Sequence, residues 1–272
     1  MTFEELFRKY ERSPGFEKLS IKSKQAYMYC GKRIADQLGD MDVATFRRST
    51  LIKMQTDMKD TPALANLIAR IASVVMSYGV DLDIMPANPA YGLKSLRTGS
   101  HEKWEPKEVR KVIELHDRRI STAVALAWYT GQREGDILSM CWSDYSEGYI
   151  TVEQQKTGKE MKIKVHPDLA RYLKSIRGTE PKKHFIVSGE HRLGGSAFRS
   201  SFSRKMKELK MNKTFHGIRK GVACSLAESG RSVNEIAAIL GHKTIRMAAY
   251  YADQANGKKL AENAVSSMVS CF

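Results

Sequence analysis

Cysteine is scarce in this 272-residue chain and follows no pattern: Cys30, Cys141, Cys224 and Cys271 stand far apart, with no C-x-x-C pair among them. That excludes a thioredoxin-like redox motif and zinc-finger ligand spacing, and it reads as reduced, mostly buried thiols. No apolar run is expected to span a bilayer. The N-terminus, MTFEELFRKYERS, lacks the apolar stretch of a secretory signal. The expected location is therefore cytoplasmic, with no membrane partner. No internal repeat or low-complexity tract is present, which excludes solenoids and biased linkers. Paired carboxylates set for two-metal chemistry are also missing, so neither a metal nor a cofactor is expected. Acidic residues are in deficit, 30 Asp+Glu against 45 Lys+Arg, for a formal net charge of +15. Such a surplus points to a polyanionic partner. Both halves of the chain are basic, the second more so.

The pattern along the chain predicts a mainly α fold with a small antiparallel β-sheet, in two domains. Residues 1–79 read as helical. Thr2 and Glu5 have capping-box spacing, and Phe3, Leu6, Phe7 and Tyr10 then share one helical face. A second helix is expected from Ser20 to about Leu38, stopped by Gly39, and a third within Ser49–Met58. Pro62 opens a fourth, whose apolar stripe of Leu64, Leu67, Ile68, Ile71, Val75 and Tyr78 ends at Gly79. Residues 80–103 lose periodicity at Pro86, Pro89, Gly92 and Gly99, and read as a basic interdomain linker.

The second domain covers residues 104–272. Helices are expected from Pro106 to about His116, over Ile120–Tyr129 and over Asp136–Cys141. Strands follow at Tyr149–Gln154 and at Met161, Ile163 and Val165, which alternate with Lys162 and Lys164. Lys156-Thr157-Gly158-Lys159 forms the turn between them. From Pro167 onward the chain reads as mostly helix. It ends in a tail, Lys258–Val269, that places Leu260, Ala261, Ala264, Val265 and Met268 on one face.

Four segments carry residues suited to chemistry, and each has an ordinary structural reading beside it. Arg133 follows the turn Thr130-Gly131 at the mouth of a helix, where a solvated arginine is common. Lys156 lies in the hairpin turn, where lysine usually serves solubility, although a turn tip also reaches into a DNA groove. His216 and Arg219 are three residues apart and share a helical face. Both can donate to phosphate oxygens, yet a chance surface pair looks the same. Ser232 and Glu235 open a helix that Gly241 ends, presenting His242, and Tyr250-Tyr251 follow on another helix.

Taken in order, these segments resemble the tyrosine recombinase (phage integrase) family, with a lambdoid-integrase-like catalytic domain. That family carries an Arg in a T-G-x-R context, a hairpin Lys, an H-x-x-R pair, an L-G-H motif and a nucleophilic Tyr. This chain supplies Arg133, Lys156, His216 with Arg219, His242 and Tyr251, over roughly Trp128–Asp253, at lambdoid spacing. The resemblance also implies a helical core-binding domain ahead of the catalytic one, with no arm-binding domain expected before it. Asp136 stands where Glu is usual, Lys220 where His is common, and Ala248-Ala249 where a Thr pair is frequent. Family spacing favours Tyr251 over Tyr250.

The resemblance implies site-specific recombination. Tyr251 attacks the scissile phosphate, giving a 3′-phosphotyrosyl link and a free 5′-hydroxyl without ATP. Arg133 and Arg219 hold the nonbridging oxygens, Lys156 protonates the leaving 5′-oxygen, His216 accepts the tyrosyl proton and His242 donates to the phosphate. The implied partners are double-stranded DNA with specific recombination sites and three further copies of the chain in a homotetrameric synaptic complex. Accessory DNA-bending factors are further candidates. The tail beyond Asn256-Gly257 would pack on its own domain or dock on a neighbouring subunit. Two alternatives stand beside this reading: a type IB-like DNA topoisomerase, and a non-enzymatic DNA-binding regulator.

Overall fold

The computed structural model describes residues 1–266 except 116, 180 and 183. The chain divides into two compact units, Met1–Ser100 and His101–Phe272.

The first unit is all helical: α1 (Phe3–Glu11), α2 (Pro14–Glu17), α3 (Ile21–Leu38), α4 (Arg48–Asp57) and α5 (Pro62–Asp81). The expected capping box opens α1, with Thr2 accepting from the Glu5 amide and Glu5 accepting from the Thr2 amide. Phe3, Leu6, Phe7 and Tyr10 are buried, as their spacing requires. Gly39, at φ 53°, ends α3. Gly79 does not end α5, which runs on to Asp81. A Cβ at Gly79 would sit 2.9 Å from Leu6 Cδ2, so this glycine lets α1 and α5 approach closely. By length and composition alone α5 is apolar enough to cross a membrane. Its Ile68, Ile71, Val75 and Met76 are buried in the core of this unit.

Most of the stretch expected as a linker packs on the first unit. Met85 and Ala90 are buried in its core. Asn88 Nδ2 donates to the Ser73 carbonyl (2.9 Å) and Ser77 Oγ (2.8 Å), and Asn66 exchanges two hydrogen bonds with the Leu96 main chain. Side-chain amides thus satisfy backbone and hydroxyl groups where no regular structure does, a use of asparagine that periodicity does not reveal.

The second unit holds α6 (Pro106–Ile113), α7 (Arg118–Thr130), α8 (Glu134–Ile137), β1 (Tyr145–Ser146), β2 (Tyr149–Glu153), β3 (Glu160–Lys164), α9 (Pro167–Arg177), α10 (Gly195–Glu208), α11 (Phe215–Glu228), α12 (Val233–Leu240), α13 (Ile245–Ala252) and α14 (Gly257–Ser266). The strands form one antiparallel sheet in the order β1-β2-β3. Ile150 pairs with Ile163 and Val152 with Met161, so the apolar partners bury on one face. The helix expected over Asp136–Cys141 instead starts at Glu134 and stops at Ile137. His116, the expected end of α6, and Met268 of the tail lie outside the described residues.

Two apolar clusters organise this unit. The larger wraps α7 with the sheet, α9 and α10. The smaller joins Val222 and Ala223 of α11, Ile236 and Leu240 of α12 and Ala248 of α13. It fixes the helix that carries Tyr250 and Tyr251. Helix α14 meets α11 through polar groups: Glu228 accepts from Lys259 Nζ (3.1 Å), and Asn263 donates to the Glu228 carbonyl. Of the tail's apolar face Leu260 is half-buried, while Ala261, Ala264 and Val265 stay exposed.

Candidate active site

Two glycines in left-handed conformation bring the site's loops together. Gly131 (φ 66°) ends α7, and Gly241 (φ 65°) ends α12. A Cβ on Gly131 would fall 2.6 Å from Leu240 Cδ2, and one on Gly241 2.3 Å from Gln154 Nε2. Only glycine permits both the φ and the closeness. The end of α7, the end of α12 and the β2–β3 turn therefore meet at one place.

A buried amide pair joins them. Gln132 Nε2 donates to the Ile239 carbonyl at 3.0 Å. Gln154 Nε2 donates to Gln132 Oε1 (2.7 Å) and to the Leu240 carbonyl (3.0 Å). Gln154 Oε1 accepts from Arg133 (3.0 Å) and from Thr157 Oγ1 (2.9 Å). Arg133, the N-cap residue of α8, is thereby aimed by the same amide that anchors the turn bearing Lys156. Asp136 supports the turn from below, accepting from the Gln155 amide at 2.9 Å. Gln132 and Gln154 went unnoticed in the sequence; a polar residue beside a motif carries no sign of burial.

Arg219 is 3% exposed on α11. Its two amino groups donate to the carbonyls of Gly131 (2.7 Å) and Leu240 (2.8 Å). Burial, then the charge of Arg133, pulls its pKa down to about 10, so it remains a cation at neutral pH. Neither arginine forms an ion pair among the described residues. Two cations held together on neutral acceptors, with N–H groups to spare, form a site for an anion.

His242 is also buried, and its ring stacks on Tyr251 with centroids 5.7 Å apart and planes 18° apart. Burial, then Arg219 and Arg133, holds its pKa at about 4, so it is neutral at physiological pH. Its Nδ1 is buried without a hydrogen-bond partner among the described residues. The Tyr251 hydroxyl lies 3.5 Å from His216 Nε2. Burial first, then the charges of His101, Arg219, Arg133 and Lys156, lowers the His216 pKa, so its surroundings oppose a positive charge on the ring that faces the phenol. Tyr250, on the neighbouring helical position, is 58% exposed and meets Tyr251 edge-on.

Five of the six residues singled out in the sequence, Arg133, His216, Arg219, His242 and Tyr251, are linked by these contacts. Lys156 is exposed on the turn and touches none of them, although its charge is felt at His216.

The phage integrase family profile matches residues 103–258. The integrase of Escherichia phage lambda is 33% identical over 144 residues, 48% of this chain and 40% of that protein. The chain thus spans about two-fifths of the length of this relative. A lambda integrase(75-356) dimer bound to a COC' core site superposes with a TM-score of 0.82 at 24% identity, covering 94% of this chain and 97% of that one. A lambda integrase tetramer bound to a Holliday junction gives 0.80 at 24% identity over 92% and 77%.

Proposed function

Because the chain belongs to the phage integrase family, we propose that it is a site-specific DNA recombinase working through a 3′-phosphotyrosyl link to Tyr251. The observation that carries this reading is the setting of Tyr251. Its hydroxyl lies 3.5 Å from His216 Nε2 and its ring stacks on His242, while its charge is felt at Arg219, which shares the Leu240 junction with Arg133. The first unit serves as the core-binding domain and the second as the catalytic domain, acting on DNA in the cytoplasm of the host cell.

The scissile phosphate sits on Arg133 and Arg219, whose remaining N–H groups stabilise the charge that develops on the nonbridging oxygens. The Tyr251 oxygen attacks phosphorus while His216 accepts its proton. The bond to the 5′-oxygen breaks, and Lys156, swinging in from its exposed turn, protonates that oxygen. Neutral His242 donates a hydrogen bond to the phosphate. The bond energy stays in the phosphotyrosyl link, so a second 5′-hydroxyl reverses the step and seals a new junction. The lambda integrase tetramer on a Holliday junction supports four copies of this chain acting on two paired duplexes.

The test is a two-site reaction. Duplexes built from the DNA flanking the gene are mixed with the protein, and joint products are scored beside relaxation of a supercoiled plasmid. Recombinant products at paired sites support the reading. Relaxation without exchange would assign the same chemistry to a topoisomerase instead.

A further inference from the structure

The first residues of the second unit form a strap over the start of α11. Trp104 Nε1 donates to the Thr214 carbonyl (2.9 Å), Lys213 Nζ to the Lys103 carbonyl (2.7 Å), and Lys220 Nζ to the His101 carbonyl (2.9 Å). The fit is tight. A Cβ at Gly217 would lie 2.2 Å from the Glu102 carbonyl oxygen, and one at Gly221 2.5 Å from that of Trp104. The strap therefore has one seat, and the seat brings His101 to His216.

His101 Nδ1 lies 3.0 Å from Thr214 Oγ1, and its ring meets that of His216 edge-on, with centroids 5.1 Å apart. Thr214 is the N-cap of α11, its hydroxyl oxygen accepting from the Gly217 amide at 3.3 Å. That oxygen being engaged as acceptor, its proton is free to point at His101 Nδ1. His216 stands two residues past this cap, so whatever fixes Thr214 and the ring edge also fixes the imidazole that faces Tyr251.

We propose that His101 is a positioning residue for strand cleavage, holding the His216 ring in place as the proton acceptor for Tyr251. The inference rests on the recombinase reading for its role in the reaction, but its physical core, the coupling of two imidazoles, stands apart from any activity. The groups facing His216 are His101 from the strap, Arg219 from its own helix, Arg133 from the start of α8, Lys156 from the hairpin turn and Tyr251 from α13. All but Tyr251 oppose a positive charge on His216. His101 joins the others in lowering the His216 pKa.

Two variants separate the hydrogen bond to Thr214 from the ring edge against His216. His101→Asn keeps a polar atom for Thr214 but removes the ring. His101→Phe keeps the ring edge but loses the hydrogen bond. His101 is exposed, so both are expected to fold. The first readout is the titration of the His216 ring by NMR on the full chain without DNA. Its pKa should rise in both variants, since His101 is among the groups that lower it. The second is the rate of covalent adduct formation on a nicked duplex, with DNA affinity measured beside it. His101→Phe should slow cleavage about tenfold, within the roughly 10²-fold that misplacing a reacting group by an ångström can cost, while affinity holds. His101→Asn should recover part of that loss. In both variants the acid limb of the rate profile should move to higher pH. An unchanged His216 titration in both variants would overturn the proposal, as would a loss of rate matched by an equal loss of affinity. If the wild-type chain forms no adduct but the titration shifts, the recombinase reading fails and the imidazole coupling survives.

Discussion

Arg219 and Gln154 share one acceptor: both donate to the main-chain carbonyl of Leu240, at 2.8 and 3.0 Å. A residue of α11 and a residue of the β2–β3 turn are thus pinned to the last turn of α12. Through Gln154 the same point holds Arg133, so the two arginines and the lysine-bearing turn share one polar junction.

Gln154→Leu should test that junction. The substitution leaves Gln132 Oε1 without its donor and Arg133 without its acceptor, and each buried group left unsatisfied costs about 1–3 kcal/mol. The urea midpoint should fall. Cleavage should drop by about 10²-fold as Arg133 loses its aim, with DNA affinity falling less. An unchanged cleavage rate in a destabilised protein would show that Gln154 serves stability alone.

Little of this junction was legible in the sequence. Signals that act over three or four residues were: Thr2 with Glu5, Ser232 with Glu235, and the alternation from Met161 to Val165. The motif residues were legible because their types and order resemble a family. Gln132 and Gln154 were not, because their partners lie at the end of α12, brought in only by the tertiary fold. Gly79 was misread for the same reason. A glycine that ends a helix and one that admits a neighbouring side chain are the same letter, and only Leu6 tells them apart. The strap at His101 looked like the end of a linker, since its hydrogen bonds reach residues more than a hundred positions away.

Lys156→Ala should slow cleavage by about 10²–10⁴-fold, the usual cost of losing a positioned general acid. A substrate with sulfur in place of the bridging 5′-oxygen has a better leaving group and should restore the rate. If the sulfur substrate gives no rescue, protonation of the leaving oxygen belongs to another residue.

Stability should fall on the acid side, partly through His242. Its ordinary pKa of 6.5 is held at about 4 in the folded chain, first by burial and then by the two arginines. Between those values the unfolded chain takes up a proton that the folded chain refuses, so unfolding becomes easier as pH falls through the window. His216, lowered in the same direction, adds to the slope. His242→Gln removes one of the two contributions. Urea midpoints across the window should then vary less with pH than in the wild type. An equal or steeper slope would mean that His242 is not held neutral.

The identity of the nucleophile is the most direct test. A nicked duplex that traps the covalent complex should give a protein–DNA adduct stable on a denaturing gel. Tyr251→Phe should abolish the adduct while DNA binding persists, since only the attacking oxygen is lost. Tyr250→Phe should still form it, and fragment-ion sequencing of the wild-type adduct should place the nucleotide on Tyr251. An adduct that survives Tyr251→Phe and disappears with Tyr250→Phe, or the absence of any adduct from a protein that binds the duplex, would contradict the assignment.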